Sequence, residues 1–189
     1  MIEWLSEIDR KIFLILNGIN SDWADQIMLF LSGKWEWAPL YLLLLYLVFS
    51  KYKWKGLWFV IVIGLTITLS DQITSGFMKP FFERLRPSRD PSLEGLVHLV
   101  DGYTGGEYGF ASSHASNSFA IATLMFLCLR DKYSRLIWLF LWAFLVSYSR
   151  LYLGVHYPLD LLAGAGVGTI IAWLLSKVWL GISRKYSFE

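Results

Sequence analysis

The chain has 189 residues, of which 56% are hydrophobic and 17% charged, and its mean hydropathy is +0.48. Soluble domains run at about 45–50% apolar and about 25% charged. The composition therefore excludes disorder, a coiled coil and an ordinary cytosolic enzyme, and the formal net charge of +2 is too small to suggest a nucleic-acid partner.

What remains is an all-α integral membrane protein of one compact unit. Residues 1–32 form an N-terminal interfacial segment and residues 33–189 one transmembrane unit. In the first segment Ile8, Ile12, Ile15 and Leu16 recur at helical spacing while Glu3, Glu7, Arg10 and Lys11 face away. That pattern predicts an amphipathic helix lying in the interface. Asn17 to Asp22 break it, and Ala24 to Ser32 make a second short helix. With acids in place of a basic leader region, the first span is expected to serve as its own insertion signal.

About 20 mostly apolar residues cross a bilayer as a helix. Five such runs follow: Trp37–Ser50, Leu57–Met78, Ser113–Leu129, Leu136–Leu153 and Leu159–Leu180. Trp35 and Trp54 flank the first at a spacing that corresponds to about 28 Å of helix. Cys128, the one cysteine, falls in an apolar run and reads as a small buried hydrophobe.

Charge sorting sets the orientation. Lys51, Lys53, Lys55, Arg130, Lys132, Arg135, Lys177, Arg184 and Lys185 fall on one side, accompanied by only Asp131 and Glu189. That side is expected to be cytoplasmic, with the C-terminus inside. The Lys79–Ser112 loop is then extracytoplasmic. Its Lys79, Arg84, Arg86 and Arg89 stand where cations are disfavoured, as an anion site or as a salt-bridged surface loop.

His98, His114 and His156 all fall on that same side. Pro158 suits the first turn of the last helix. His156 and Asp160 are four residues apart, so a bend at the helix start brings carboxylate to imidazole. An Asp on one ring nitrogen fixes the tautomer and supports the cation formed when the other nitrogen attacks. Arg150 closes the fourth span and requires an interface or a partner. Two histidines, a carboxylate and a Lys/Arg cluster suit phosphoryl transfer. Asp71, Ser75 and Lys79 share one helix face, which makes Asp71 a structural partner for Lys79. Gly164 and Gly168 read as a helix-packing pair. His98 reads as a solvated loop residue.

Lys79 through Arg86-Pro87 matches KxxxxxxRP, and Ser149-Arg150 through His156 to Asp160 matches SRxxxxxHxxxD. Ala111-Ser112-Ser113-His114 aligns with PSGH, departing at Ala111 and Ser113. Together these resemble the three-part signature of the type 2 phosphatidic acid phosphatase (PAP2) family. The resemblance implies a bundle of about five transmembrane helices that hydrolyses a membrane lipid phosphate with no metal or organic cofactor. It implies that His156 forms a phosphohistidine, Asp160 orients it and His114 protonates the leaving oxygen. Lys79, Arg86, Arg150, Ser112 and Ser113 would bind the phosphate, supported by Asp71 and Arg84, with Arg84 and Arg89 available to a second phosphate.

The expected setting is a multi-pass protein of the inner membrane with its site on the extracytoplasmic face. The first expected substrate is undecaprenyl pyrophosphate. Phosphatidylglycerophosphate, phosphatidate and lipid A 1-phosphate follow, or a lipid acceptor that replaces water. A non-catalytic transporter or subunit leaves the third motif unexplained.

Overall fold

The structure, a computed structural model, describes residues 3–186; Glu189, counted above among the charges, lies outside the described residues. The regular secondary structure of the described residues is helical, apart from one isolated antiparallel bridge between Leu85 and Tyr108. Helices α1 (Glu3–Asn17) and α2 (Asp22–Ser32) precede α3 (Ala38–Tyr52) and α4 (Gly56–Asp71). A π-helical stretch, Gln72–Met78, leads from α4 into α5 (Lys79–Phe82). After a long loop come α6 (Ser113–Leu129), α7 (Leu139–Tyr152) and α8 (Pro158–Lys185).

Two segments are long and apolar enough to cross a membrane, Ala38–Phe82 and Pro158–Lys185, and Ser113–Leu129 is a shorter apolar helix. The first is a helical hairpin. Lys53 at φ 52° reverses the chain, and the rings of Tyr52 and Phe59 meet at 5.4 Å across the turn. Two sequence boundaries move most. The second apolar helix runs past Met78 and carries Lys79 on helix, ending at Glu83 in the left-handed region. Pro80 has no N–H to give the preceding turn, and the π-helical stretch lies just before it. The last helix runs to Lys185, so Lys177 lies within it.

Helix α6 is the central element. Ser112 caps its N-terminus through its side-chain oxygen. A Cβ at Gly164 or Gly168 would strike the Ser112 or Ser116 carbonyl, so these glycines set the close approach of α8 to α6. On another side Ser116 Oγ meets Ser70 Oγ of α4 at 2.6 Å. Far from the histidines, Trp179 packs against Tyr52 and Phe59 at 5.2 and 5.0 Å. Lys51 Nζ and Tyr52 Oη donate to the Cys128 carbonyl at 2.9 and 2.7 Å, and Lys51 pairs with Asp131. The end of α3 with Lys51 and the turn with Arg130 and Lys132 thus share one end of the bundle, and Cys128 is buried.

The opposite end gathers the start of α6, the start of α8, the end of α7 and the loop after α5. Helix α1 leans on it through Asp9, Phe13 and Asn17, all buried. Ile8, Ile12, Ile15 and Ile19 form an exposed stripe.

Candidate active site

His156 lies in the tight connection between α7 and α8, 1% exposed. Pro158 opens α8, and the Asp160 Oδ2 accepts the Tyr157 amide at 2.9 Å. The cap turns that carboxylate back toward His156, whose Nδ1 stands 3.4 Å from the same oxygen. The other oxygen, Oδ1, accepts Arg84 Nη1 at 2.8 Å. Asp160 is fully buried. Gly109 closes the pair in, since a Cβ there would lie 2.9 Å from Asp160 Oδ2. Burial, then the charges of Arg86, Arg150 and Lys79, hold the His156 imidazole well below its ordinary value of 6.5. The ring is therefore neutral at neutral pH, with Nε2 as its second nitrogen.

Three cations converge on it. Arg86 is 7% exposed and donates to the carbonyls of Tyr108 (3.1 Å) and Val155 (3.4 Å). Arg150 is 3% exposed and donates to Ser32 Oγ and, at 2.9 Å, to Tyr103 Oη. Its Nε is buried without a hydrogen-bond partner among the described residues. Lys79 Nζ donates to Ser75 Oγ and Ser113 Oγ, both at 3.3 Å. Ser75 Oγ in turn donates to Asp71 Oδ1 at 3.3 Å. Asp71 therefore reaches Lys79 through Ser75.

Ser112 ties the two histidine-bearing segments together, its amide donating to the Asp160 carbonyl at 2.9 Å. Its hydroxyl accepts a long 3.5 Å bond from Ala115 N and keeps its own hydrogen to donate. Ser113 and His114 stand at the head of a groove of about 490 Å³ between α3, α4, α6 and α7. Lys34, Asp71 and Asn117 complete the polar head, and Tyr41, Leu45, Ile121 and Trp142 line the apolar remainder. Arg150, Lys34 and Lys79 act electrostatically on His114, and so does the His156 ring when it is protonated.

All eight residues expected to act on a phosphate, His156, His114, Asp160, Lys79, Arg86, Arg150, Ser112 and Ser113, therefore gather at one end of the bundle. Two expectations are corrected. Arg84 does not face open space for a second phosphate; it bridges Asp160 and Asp9. His98 is not a solvated loop residue. Its Nε2 lies 2.9 Å from Asp25 Oδ1, which also accepts Tyr152 Oη at 2.6 Å, and its ring packs edge-on against Tyr152. This Tyr-Asp-His group pins α2, and with it Ser32, beside Arg150. Sequence reasoning missed Asp9, Ser32, Lys34, Tyr103 and Gly109. For Asp9 a signal existed: it falls at i, i+4 and i+8 with Phe13 and Asn17, a face distinct from the isoleucine stripe.

The PAP2 superfamily sequence model matches residues 55–183. The lipid A 4'-phosphatase of Bacteroides thetaiotaomicron is 46% identical over 92% of this chain and 78% of its own length. That of Porphyromonas gingivalis is 37% identical over 95% of this chain and 76% of its own. The crystal structure of a transmembrane PAP2-type phosphatidylglycerolphosphate phosphatase from Bacillus subtilis superposes with a TM-score of 0.70 at 25% identity, covering 95% of this chain and 88% of that one. The first expected substrate, undecaprenyl pyrophosphate, is not the one these likenesses support best. The undecaprenyl-diphosphatase of Sulfolobus acidocaldarius is more distant, at 28% identity over 89% of this chain and 77% of its own.

Proposed function

The chain belongs to the PAP2 superfamily, and on that premise we propose that this membrane lipid phosphatase removes the 4'-phosphate of lipid A. The observation that carries the phosphatase chemistry is the meeting, at His114, of a buried cationic pocket with a long apolar groove. One end fits a phosphate and the other an acyl chain, so the scissile bond sits between them. The likeness to the two lipid A 4'-phosphatases supports the choice of substrate.

His156 Nε2 attacks phosphorus, forming an N–P bond as the P–O bond to the lipid breaks. Asp160, on the far nitrogen, balances the charge that the ring acquires. Lys79, Arg86 and Arg150 neutralise the phosphoryl oxygens, Arg as a planar fork and Lys as a point charge. The Ser112 hydroxyl and the Ser113 amide add donors. His114 protonates the leaving lipid oxygen, then takes a proton from the water that splits the phosphohistidine, releasing inorganic phosphate. No metal step is needed, because cations and amides supply the electrostatic stabilisation.

The same reading places five helices across the inner membrane, α3, α4 with α5, α6, α7 and α8. The cationic Lys51–Asp131 end and the C-terminus are cytoplasmic, and the site is extracytoplasmic. The isoleucine stripe of α1 lies against lipid, making residues 1–32 interfacial and residues 33–189 the transmembrane catalytic unit.

Purified protein in detergent with EDTA, given lipid A, phosphatidylglycerophosphate, phosphatidate and undecaprenyl pyrophosphate in parallel, tests the proposal. Phosphate release fastest from lipid A, with mass loss at the 4'-position, is the expected result. A strict metal requirement, or preference for another lipid by tenfold or more, overturns it.

A further inference from the structure

Arg84 stands between two buried carboxylates. Its Nη1 donates to Asp160 Oδ1 at 2.8 Å and its Nη2 to Asp9 Oδ2 at 2.6 Å. Its guanidinium lies 4.1 Å from the centre of the Tyr157 ring. The second oxygen of Asp9, Oδ1, accepts the amide of Leu159 at 2.9 Å. Leu159 belongs to the first turn of α8, next to Asp160. The Asp9 and Asp160 side chains are 1% and 0% exposed. Helix α1 thus delivers a carboxylate to the far side of the Asp160–His156 pair, across 150 positions of sequence.

The charge balance gives this contact a consequence. Asp160 carries one negative charge, with Oδ2 toward His156 and Oδ1 toward Arg84. Were Arg84 matched to Asp160 alone, that pair would be neutral. The ring, which turns cationic as the N–P bond forms, would face no counter-charge in a site already crowded by Arg86, Arg150 and Lys79. With Asp9 present, the Asp9–Arg84–Asp160 group keeps a net charge of −1. Burial is the largest influence on Asp9 and pushes its carboxyl up, while the bond from Arg84 pulls it down. Only the ionised form of Asp9 completes the balance.

We propose that Asp9 is a positioning residue for phosphoryl transfer: it shares Arg84 with Asp160 and fixes the first turn of α8, so that the Asp160 charge remains directed at His156. The proposal rests on the reading of His156 as nucleophile. The alternative is a plain staple holding α1 to the bundle. A neighbouring contact has that character: Arg10 pairs with Asp90 at 3.1 Å, and Asp90 accepts Tyr157 Oη at 3.0 Å, with no direct bond from Arg10 or Asp90 to Asp160 or Arg84.

The two roles separate in the kinetics of phosphate release. Asp9→Asn should lower kcat by about tenfold or more with KM within twofold. It should also move the acid limb of kcat/KM to lower pH, because losing a negative charge beside Asp160 weakens proton binding at His156. The groups that face His156 are otherwise unchanged: Arg86, Arg150, Lys79, His114 and Asp160. In an Arg84→Met background Asp9→Asn should have no further effect on kcat, since its influence runs through Arg84. Arg10→Gln, which breaks only the neighbouring staple, should leave kcat and the pH limb in place.

Asp9→Asn with unaltered kcat and pH limb, or an effect additive with Arg84→Met, overturns the proposal. So does an Arg10→Gln variant that loses kcat equally. If Asp9→Asn fails to fold, Asp9→Glu carries the test: it keeps the charge on a longer arm, so kcat should fall while the pH limb stays. Wild-type kcat in Asp9→Glu then overturns the proposal. His156→Ala is measured alongside. If it keeps wild-type turnover, the nucleophile reading itself fails; if it is dead while Asp9→Asn is unaltered, only the role of Asp9 fails.

Discussion

Asp160 Oδ2 serves two groups at once, accepting the Tyr157 amide at 2.9 Å and standing 3.4 Å from His156 Nδ1. The cap that starts α8 is therefore the same oxygen that orients the proposed nucleophile. Asp160→Asn can retain the cap through its carbonyl oxygen while losing the charge. It should cut kcat by about 10²–10⁴, the range for a carboxylate that orients and supports a reacting histidine. KM and melting temperature should change little. His156→Ala should remove turnover, and no acid-labile phosphoenzyme should be trapped from labelled substrate. A trapped phosphoenzyme in His156→Ala would relocate the nucleophile.

The pH dependence follows from the burial of His156. Burial, reinforced by Arg86, Arg150 and Lys79, depresses its proton affinity in the folded protein. Attack requires the neutral ring, so the acid limb of kcat/KM due to His156 should lie below 6.5. The same shift bears on stability. The unfolded chain binds a proton at His156 below about 6.5, where the folded chain does not. This contribution is constant above that value and is lost as pH falls beneath it. Thermal unfolding of wild type and His156→Ala across pH 5–8 checks the sign: wild type should lose more stability on acidification than the variant.

The chemistry was legible in the sequence for a physical reason. In a chain this apolar a buried charge needs a purpose, and Lys79, Arg86, Arg150, His156 and Asp160 fall in short contiguous patterns. The apolar runs located the helices for the same reason, and Ser113–Leu129 matches its helix end to end. The ends of the other helices shifted where local backbone decided them, as at the π-helical stretch before Lys79. Long-range polar pairs were not legible. The Asp9–Arg84 and His98–Asp25 partners lie 75 and 73 positions apart; the spacing of Asp9, Phe13 and Asn17 marks a shared face but names no partner for it. By sequence Arg84 reads as a cation available to a second phosphate and His98 as a solvated loop residue.

The glycines of α8 give a prediction about packing. A Cβ at Gly168 would drive into the Ser116 carbonyl, and neither backbone can move alone. Gly168→Ala should cost about 1–3 kcal/mol by overpacking, read as a lower melting temperature in detergent. Gly166 faces open space. Gly166→Ala should be neutral or slightly stabilising, because Ala favours helix over Gly. Equal effects at the two positions would remove the close α6–α8 approach as the cause.

Sidedness can be read with one engineered thiol. Cys128 is buried and is the one native cysteine, so it contributes little background. Glu94 is exposed in the loop after α5. Glu94→Cys should react with a membrane-impermeant maleimide in intact spheroplasts, whereas Lys53→Cys should react only after lysis. The reverse pattern would place the site on the cytoplasmic face.

The groove yields a prediction that separates tail binding from chemistry. Leu45 lines its apolar part, away from His114. Leu45→Trp should fill that space and exclude about two methylenes of the acyl chain. At ~0.8 kcal/mol per buried CH₂, the loss is about 1.6 kcal/mol, or somewhat more than tenfold in kcat/KM. A short-chain phosphate ester that never reaches Leu45 should keep its kcat/KM within twofold, because the histidines and cations are untouched. Measured side by side in one detergent, the long-chain lipid should lose mainly through KM. An equal loss on both substrates would mean that the tryptophan distorts the site, and no loss on either would mean that the acyl chain lies elsewhere.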